Sequence, residues 1–204
     1  MKFQLPCSIL LCGPSFSGKS FMVAQLIKER MFEPWPDVIL WVYTEDQPLF
    51  DTVSGVEFIE GFSADDIEEK IGDRTAMLII DDCMAQAACD PKLTAFFTKK
   101  VHHRGISVCF IIQRLFPPEK EFRTMSLNAS YLILTKNCRD KSQIATLGSQ
   151  VAPGSRFLQE SYRDATRDPF GYIVLDFKQE TPESLRVRTN VLPSEGPVIV
   201  YVQK

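Results

Sequence analysis

Residues 13–20 read Gly13-Pro14-Ser15-Phe16-Ser17-Gly18-Lys19-Ser20, with two glycines separated by four residues and followed directly by lysine and serine. An almost wholly apolar run, residues 7–12, precedes them, and residues 21–31 carry apolar side chains at helical spacing. This order of strand, glycine-rich loop and helix is typical of a loop that binds phosphate through backbone N–H groups and the positive end of the helix. The pattern therefore predicts a nucleotide-binding protein.

The residue types of this loop match the chemistry of a nucleoside triphosphate. Glycine lets the backbone approach phosphate without a Cβ in the way, the ammonium of Lys19 would reach the β- and γ-phosphates, and the hydroxyl of Ser20 would ligate Mg²⁺. Phe16 stands where a small residue is commoner in such loops. The expected nucleotide-binding residues are Gly13, Pro14, Ser15, Phe16, Ser17, Gly18, Lys19, Ser20 and Phe21.

A second motif lies at residues 76–82, where an apolar run leads into Asp81 and Asp82. A buried central strand of this kind delivers the side chain at its end to the carboxyl edge of the sheet, where open α/β sheets bind ligands. We expect Asp81 to hold Mg²⁺ and Asp82 to orient or deprotonate the attacking water. The two motifs together predict a site that hydrolyses a nucleoside triphosphate.

The rest of the chain alternates between strand and helix patterns. Strands are predicted at residues 38–43, 56–60, 106–112, 130–134, 172–177, 185–188 and 198–202, and helices after Ser63, from Asp90 towards Gly105, from Asp140 through Leu147 and at residues 155–165. Residues 119–125 are expected to form an exposed, charged connection. Because helices separate most of the strands, the pattern predicts an α/β fold with a mostly parallel central sheet, flanked by helices, and an antiparallel C-terminal edge.

The order of the motifs narrows the fold class. A strand pattern lies between the loop–helix unit and the strand that ends in Asp81, as in the additional-strand, RecA-like class of P-loop NTPases. Gln113 follows the apolar strand at residues 106–112, where a polar side chain would sense the γ-phosphate. The alternative for Gln113 is a strand-end glutamine that faces water.

The composition suits one intracellular domain. The chain has 204 residues, of which 45% are hydrophobic and 24% charged, so a single domain spanning residues 1–204 is expected. No apolar run approaches the roughly 18 residues of a membrane span, and the N-terminal residues lead directly into the first strand, so the protein is expected to work inside a cell. The net charge of -3 argues against a basic coat, so any contact with DNA must be local.

The six cysteines contain no C-x-x-C pair, and several fall in apolar runs. Buried free thiols in a reducing compartment are therefore expected. The nearest approach to a metal-binding set is Cys83, Cys89, His102 and His103, whose spacing matches no familiar zinc finger, so zinc is not expected.

Further stretches carry a family resemblance, and they include Trp41 to Pro48, Phe58 to Gly61, Leu78 to Asp82, His103 to Val108, Gln113 to Phe116, Arg123 to Ala129, Lys136 to Ile144, Pro169 to Tyr172 and Arg186 to Asn190. Together with the phosphate loop, they resemble the DNA-packaging ATPases of the FtsK–HerA superfamily. The likeness is greatest to the small ATPases of Polinton/Maverick and adintovirus-type elements, kin of the poxvirus packaging ATPase. Arg114 departs from the family, where a neutral Asn more often follows the sensor Gln.

The resemblance implies a motor that couples hydrolysis of ATP, with Mg²⁺, to translocation of double-stranded viral DNA into a preformed capsid. It also implies a homo-oligomeric ring at the packaging vertex of the virion, in contact with capsid vertex proteins. The expected location is the nucleus or cytoplasm of an infected host cell. DNA would be held without regard to its sequence, because a translocating motor must pass every base.

Arginine and lysine residues outside the loop complete the expected machinery. No arginine lies in the phosphate loop, so a ring would supply the transition-state cation from a neighbouring subunit. Arg104 and Arg123 are the favoured residues for this role, and Arg139 is a third. Lys99 and Lys100, with Arg104, form the densest basic cluster and would contact DNA, although a solvated helix end is an equal alternative.

Three other functions stay open on the sequence alone. A P-loop kinase acting on nucleosides would carry an arginine-rich lid, which is not obvious here. A GTPase would carry the order Asn-Lys-x-Asp, from which Thr135-Lys136-Asn137 departs. A nucleotide-gated module could organise capsid proteins with little turnover, although the Mg²⁺ and water-activating positions are complete.

Overall fold

The computed structural model describes residues 2–81, 105–116 and 120–203. Several predictions fall outside these ranges and stay predictions: the base Asp82, the arginine Arg104, the basic pair Lys99 and Lys100, the helix from Asp90, and the set of Cys83, Cys89, His102 and His103. Within these ranges, no helix has the length and apolar character needed to cross a membrane.

The described residues contain eleven strands and five α-helices. The strands are β1 (Phe3–Gln4), β2 (Ser8–Cys12), β3 (Phe32–Glu33), β4 (Val38–Tyr43), β5 (Glu57–Glu60), β6 (Ala76–Asp81), β7 (Ile106–Ile112), β8 (Tyr131–Thr135), β9 (Tyr172–Asp176), β10 (Val187–Thr189) and β11 (Ile199–Tyr201). The helices are α1 (Lys19–Lys28), α2 (Ala64–Ile71), α3 (Lys120–Leu127), α4 (Ser142–Val151) and α5 (Phe157–Ala165).

The main sheet has the strand order β11-β10-β9-β8-β2-β7-β6-β4-β5. Neighbouring strands from β8 through β5 are parallel, whereas β8–β9, β9–β10 and β10–β11 pair antiparallel. Because β7 lies between β2 and β6, the loop strand and the aspartate strand are not adjacent, as the additional-strand class requires. The predicted mostly parallel sheet with an antiparallel C-terminal edge is confirmed.

Continuous apolar runs explain why the central strands are buried on both faces. Alternate residues of β2 point to opposite sides, with Ile9 and Leu11 packing in the same cluster as α1, and Leu10 packing in the cluster that contains residues of α2, α4 and α5. All the residues of β2, β6, β7, β8 and β9 are buried. Helices therefore cover both faces of the sheet and hold its carboxyl edge in place.

One prediction for the connection after β7 was wrong. Residues 119–125 were expected to form an exposed connection, but most of this segment lies in α3. Lys, Glu, Arg, Met and Leu all have high helix propensity, and over eight residues that preference outweighs the absence of a clear apolar stripe. The charged residues of the segment indicate an exposed surface, but they do not indicate whether the backbone is helical or irregular.

The start of α4 differs from the prediction by position. The helix was expected to start at Asp140, but the cap position is Lys141 and the helix begins at Ser142. The Asp140 carboxylate still accepts hydrogen bonds from the Ser142 N–H at 3.1 Å and from Nε2 of Gln143 at 2.7 Å. The Ser142 hydroxyl also donates to this carboxylate. Together these hydrogen bonds, the one from the Ser142 hydroxyl first, hold the pKa of Asp140 below its usual value.

The short strands β1 and β3 were not predicted. They pair parallel through Phe3 with Phe32 and Gln4 with Glu33, forming a small sheet of their own. A strand of two residues carries no periodic signal, so only the long-range packing of Phe3 and Phe32, which are both buried, could reveal it.

Candidate active site

The carboxyl ends of β6, β7, β2 and β8 lie side by side, because these strands are parallel neighbours in the sheet. The register pairs Cys12, the last residue of β2, with Ile112 of β7 and Leu134 of β8. Asp81 ends β6, and Gln113 directly follows β7. The sheet therefore brings the phosphate loop, Asp81 and Gln113 to one edge, where ligands of open α/β sheets bind.

The loop between β2 and α1 is held by backbone hydrogen bonds. The Gly13 N–H donates to the carbonyl of Ile112 at 3.1 Å, and the Ser17 N–H donates to the carbonyl of Pro14 at 3.3 Å. Gly18 has φ 84° at the cap position of α1, a left-handed conformation that favours glycine. The second glycine of the motif is thus required by the turn from loop into helix.

The first glycine of the motif is required by a close approach. A Cβ at Gly13 would lie 1.8 Å from Oγ1 of Thr135, the last residue of β8. The Thr135 hydroxyl is 2.7 Å from Oγ of Ser17 and 3.4 Å from the carbonyl of Cys12, so it joins the loop to the sheet. Thr135 was not predicted to belong to the site. The sequence feature that could have identified it is a polar residue at the end of an apolar strand, the same feature that identified Asp81.

Lys19 begins α1 and folds back over the loop. Its ammonium donates a hydrogen bond to the carbonyl of Pro14 at 2.9 Å. The cation therefore lies against the loop whose N–H groups are expected to bind phosphate.

Ser20 and Asp81 are in direct contact. The Ser20 hydroxyl donates to Oδ2 of Asp81 at 2.7 Å, and Asp81 is only 4% exposed. Hydroxyl and carboxylate oxygens are hard ligands of the kind that Mg²⁺ prefers. The structure thus brings together the residues that the sequence predicts to hold the metal.

Phe16 adopts φ 61°, and its side chain is 99% exposed. The left-handed region costs an L-residue about 1–2 kcal/mol because of its Cβ, a cost that glycine would avoid. The exposed ring gains no burial that would offset this cost.

Gln113 lies at the edge of a 550 Å³ cavity together with Pro14 and Ser15 of the loop. Arg114 and Arg139 line the same cavity. Gln113 is thereby on the same side of the sheet edge as the loop, where a γ-phosphate sensor is expected. Arg139, predicted as a residue reaching into a neighbouring subunit, lies beside the loop of its own subunit.

Arg123 is an exposed residue of α3. This helix leads towards the amino end of β2, where the Ser8 hydroxyl donates to the carbonyl of Asn128 at 2.8 Å. None of the cavities found beside the loop in the described part of the chain includes Arg123. The structure does not bring Arg123 to the loop of its own subunit.

A separate apolar cavity of 360 Å³ also borders the loop. Phe21 and Phe170 line it beside Ser17 and Gly18, and both aromatic side chains are partly exposed, at 56% and 68%. The predicted nucleotide contact Phe21 thus lies next to the loop. Phe170 was not predicted to belong to the site, because it lies about 150 residues from the loop in the sequence and only the fold brings it here.

Tyr172 and Glu195 form the polar wall of this cavity. The Tyr172 hydroxyl donates to Oε2 of Glu195 and accepts a hydrogen bond from the Val191 N–H at 2.9 Å. Burial and the Glu195 carboxylate together raise the pKa of Tyr172, so the tyrosine stays protonated and keeps donating. The cavity wall is therefore fixed by hydrogen bonds.

Cysteine thiols near the site are buried and free. Cys7, Cys12 and Cys109 are buried without disulfides, as expected, whereas Cys138 is exposed. Burial raises the pKa of Cys12 to about 12, with the Lys19 charge acting weakly in the opposite direction. Cys12 is therefore a neutral thiol at the base of the phosphate loop, and it packs as a small apolar residue.

This architecture, with its glycine-rich loop between β2 and α1 and its aspartate at the end of β6, is the P-loop NTPase fold. No protein-family model matches the chain, and no curated protein sequence matches it.

Several solved structures have a similar fold. The genome packaging NTPase B204 of Sulfolobus turreted icosahedral virus 2, in complex with ATP-gammaS, has a TM-score of 0.56 and 13% identity over 96% of each chain. B204 from Sulfolobus turreted icosahedral virus, a DNA-packaging ATPase, has a TM-score of 0.56 and 12% identity over 99% of this chain and 100% of that one. The pCW3 conjugation coupling protein TcpA has a TM-score of 0.50 and 13% identity over 83% of this chain and 57% of its own.

Proposed function

We propose that this protein is an ATPase that drives double-stranded viral DNA into a preformed capsid. The observation that carries the proposal is the Ser20–Asp81 contact beside a complete phosphate loop. The fold that holds this contact is similar to that of a genome packaging NTPase over 96% of each chain. Similarity at 13% identity defines the fold, so the activity rests on the residues of the site.

Nucleotide would bind across the loop. Backbone N–H groups of residues 13–18 and the ammonium of Lys19 would hold the phosphates, with Lys19 exchanging the carbonyl of Pro14 for a phosphate oxygen. The base would enter the apolar cavity between Phe21 and Phe170, where aromatic faces favour stacking. ATP is the proposed nucleotide because the chain lacks the Asn-Lys-x-Asp order that selects guanine.

Ser20 and Asp81 fit a Mg²⁺ ion, as oxygen ligands already in contact. Bound Mg²⁺ would offset the negative charge of the β- and γ-phosphates. The Ser20 hydroxyl would turn from the carboxylate to the metal, and Asp81 would keep the metal at the carboxyl edge of β6. Gln113 would hydrogen-bond the γ-phosphate as its charge develops, and Asp82 is proposed as the base that activates water.

A homo-oligomeric ring would complete the site. Arg104 and Arg123 are proposed to act on the nucleotide of a neighbouring subunit, and the position of Arg123 away from its own loop suits such a role. Arg139 lines the Gln113 cavity and is better suited to act within its own subunit. An arginine of this kind contributes on the order of a thousandfold in rate.

The finer assignments follow the family resemblance. We propose membership of the FtsK–HerA superfamily, near the Polinton/Maverick and adintovirus-type packaging ATPases. Capsid vertex proteins would dock the ring, and the protein would act in the nucleus or cytoplasm of the infected cell as one domain spanning residues 1–204.

The test is hydrolysis of ATP by the full chain, measured as phosphate release with and without Mg²⁺ and double-stranded DNA. Wild-type protein is expected to release phosphate to water and to be stimulated by DNA. Lys19→Ala and Asp81→Ala should each abolish release, because one removes the cation on the phosphates and the other the metal anchor.

Lys28→Ala is the matched control, since Lys28 lies at the far end of the same helix and its ammonium donates a hydrogen bond to the Thr52 hydroxyl, away from the loop. Its rate should equal that of the wild type. Near-normal turnover by Lys19→Ala or Asp81→Ala would refute the site. Transfer of phosphate to a nucleoside acceptor would instead establish a kinase.

A further inference from the structure

A third cavity, of 620 Å³, lies outside the nucleotide site and is rich in basic side chains. It is formed by the segment that follows β8, the start of α4, and α5 with the residues just after it. Its charged lining consists of Lys136, Lys141, Arg156, Arg163, Arg167 and Glu160.

This charge balance is opposite to that of the chain as a whole. The sequence has 26 acidic and 23 basic residues, whereas the described lining has five basic side chains and one acidic. A local excess of cations at one surface of an acidic protein is the electrostatic mark of a site for a polyanion.

Few carboxylates neutralise these cations. Within the described ranges, Lys141, Arg156 and Arg163 form no ion pair, and Arg167 reaches only the exposed Asp168, at 4.0 Å. All four basic side chains are on exposed residues. Their positive charge is therefore directed to solvent and to whatever anion binds there.

The fifth cation is fixed in place by the backbone. The Lys136 ammonium donates to the carbonyls of Arg167 at 2.7 Å and Asp168 at 3.3 Å. This contact holds the segment after β8 against the chain that follows α5, so the basic residues of the two segments form one surface.

The spacing suits an extended anion. Arg156 and Arg163 are seven residues apart, which corresponds to about 10 Å along the helix axis. Successive phosphates of one DNA strand rise about 3.4 Å along the duplex axis, so this span covers about three nucleotides. A single phosphate group would contact only part of the surface.

We propose that this basic surface, made of Lys136, Lys141, Arg156, Arg163 and Arg167, binds the phosphodiester backbone of double-stranded DNA. The proposal rests on the packaging function and names the face of the molecule that would hold the DNA. It differs from the cluster of Lys99, Lys100 and Arg104 that the sequence suggested. Contacts to phosphate alone carry no sequence preference, as a translocating motor requires.

The surface is also connected to the phosphate loop. Tyr162 of α5 is buried, and its hydroxyl donates to the carbonyl of Thr135 at 2.9 Å and accepts from the Asn137 N–H at 2.8 Å. The Thr135 side chain in turn contacts Ser17 of the loop. Tyr162 and Thr135 would thus link DNA held by α5 to the loop that holds nucleotide.

The experiment measures binding of a fluorescent 30-base-pair duplex by anisotropy, as a function of salt, for the full chain. The variant is Lys141→Gln/Arg156→Gln/Arg163→Gln, and the matched control is Lys2→Gln/Lys28→Gln/Lys70→Gln, which removes the same charge from exposed sites elsewhere. Three lost phosphate contacts should weaken binding on the order of 100-fold near 0.15 M salt and reduce the salt slope by about 3. The control variant should bind as the wild type.

Basal ATP hydrolysis without DNA should be unchanged in the surface variant, while its stimulation by DNA is lost. If wild-type protein binds and is stimulated by duplex DNA but the variant keeps the same affinity and salt slope, the surface assignment is overturned and the packaging function stands. If wild-type protein hydrolyses ATP but binds no DNA at moderate salt, the packaging function itself fails.

Other anions are tested in parallel to distinguish the source of the phosphate. Inorganic tripolyphosphate and vesicles containing phosphatidylserine serve as probes. The proposal expects weak binding of both compared with the duplex. Binding of vesicles by the wild type but not the variant, with no binding of DNA, would assign the surface to a membrane and overturn the proposal. Arg163→Lys, which keeps the charge, should retain most DNA binding.

Discussion

Gly13→Ala tests the physical reason for the first glycine of the phosphate loop. A Cβ at this position would lie 1.8 Å from Oγ1 of Thr135, 2.8 Å from Oγ of Ser17 and 3.1 Å from Cβ of Thr135. Because the threonine hydroxyl already contacts Ser17 at 2.7 Å, it cannot move without breaking that contact. The substitution should therefore both strain the sheet edge and displace the loop.

The size of the effect follows from these contacts. Overpacking a close contact costs about 1–3 kcal/mol, and loss of the Thr135–Ser17 hydrogen bond costs about 1 kcal/mol more. The free energy of unfolding should fall by roughly 2–4 kcal/mol, which for a domain of this size lowers Tm by about 4–16 °C. ATP affinity should fall as well, because the loop N–H groups are moved.

A double-mutant cycle identifies the cause. Thr135→Ala alone should cost about 1 kcal/mol, and adding it to Gly13→Ala should recover part of the loss, since it removes the atom at 1.8 Å. Urea unfolding gives the free energies, and fluorescent nucleotide titration gives the affinities. Additive effects of the two substitutions, within about 0.5 kcal/mol, would refute the steric argument. Gly61→Ala is the control: nothing lies within 4 Å of its Cβ and φ is 74°, so it should show left-handed strain only and no coupling to Thr135.

Arg188→Ala should lower the free energy of unfolding by about 3–5 kcal/mol in urea, because it leaves the nearly buried Asp176 carboxylate, 3.3 Å away, without its cation; a loss below about 1 kcal/mol would contradict a buried ion pair. Phe16→Gly should raise that free energy by about 1 kcal/mol, since it relieves left-handed strain and loses no burial; destabilisation would indicate a contact made by the ring. Iodoacetamide at pH 8 should modify exposed Cys138 and spare buried Cys12, whose pKa of about 12 keeps it a protonated thiol. Peptide mass spectrometry identifies the modified cysteines, and rapid labelling of Cys12 in the folded protein would contradict the prediction.

The sequence was sufficient for those parts of the fold that rest on local pattern. The central strands are continuous apolar runs, and the loop is a motif with one fixed geometry, so the parallel sheet, its C-terminal antiparallel edge and the contact of Ser20 with Asp81 were all predictable. The position of Asp81 after an intervening strand pattern also indicated the additional-strand class, whereas the full strand order, with β7 between β2 and β6, comes from the structure.

Features that depend on contacts across the fold were not predictable in the same way. Thr135 and Phe170 reach the loop only because β8 neighbours β2 and the chain before β9 returns to the start of α1. The sequence also does not show that Arg139, in the segment after β8, lines the same cavity as Pro14 and Ser15 of its own loop. Helix α3 was missed because its polar residues carry helix propensity without an apolar stripe.

The end of β8 is the place where nucleotide and the proposed DNA surface would meet. The hydroxyl of Thr135 contacts the loop residue Ser17, and its carbonyl accepts a hydrogen bond from Tyr162 of α5. A shift of the loop on binding or losing phosphate would therefore be transmitted to α5, which carries Arg163 and directly follows Arg156. Packed cores respond to such shifts by moving whole elements, because close packing leaves little room for gradual deformation. A helix of nine residues that moves as a unit would move both arginines together. The strand that positions the glycine of the phosphate loop is therefore also the strand through which hydrolysis could act on DNA.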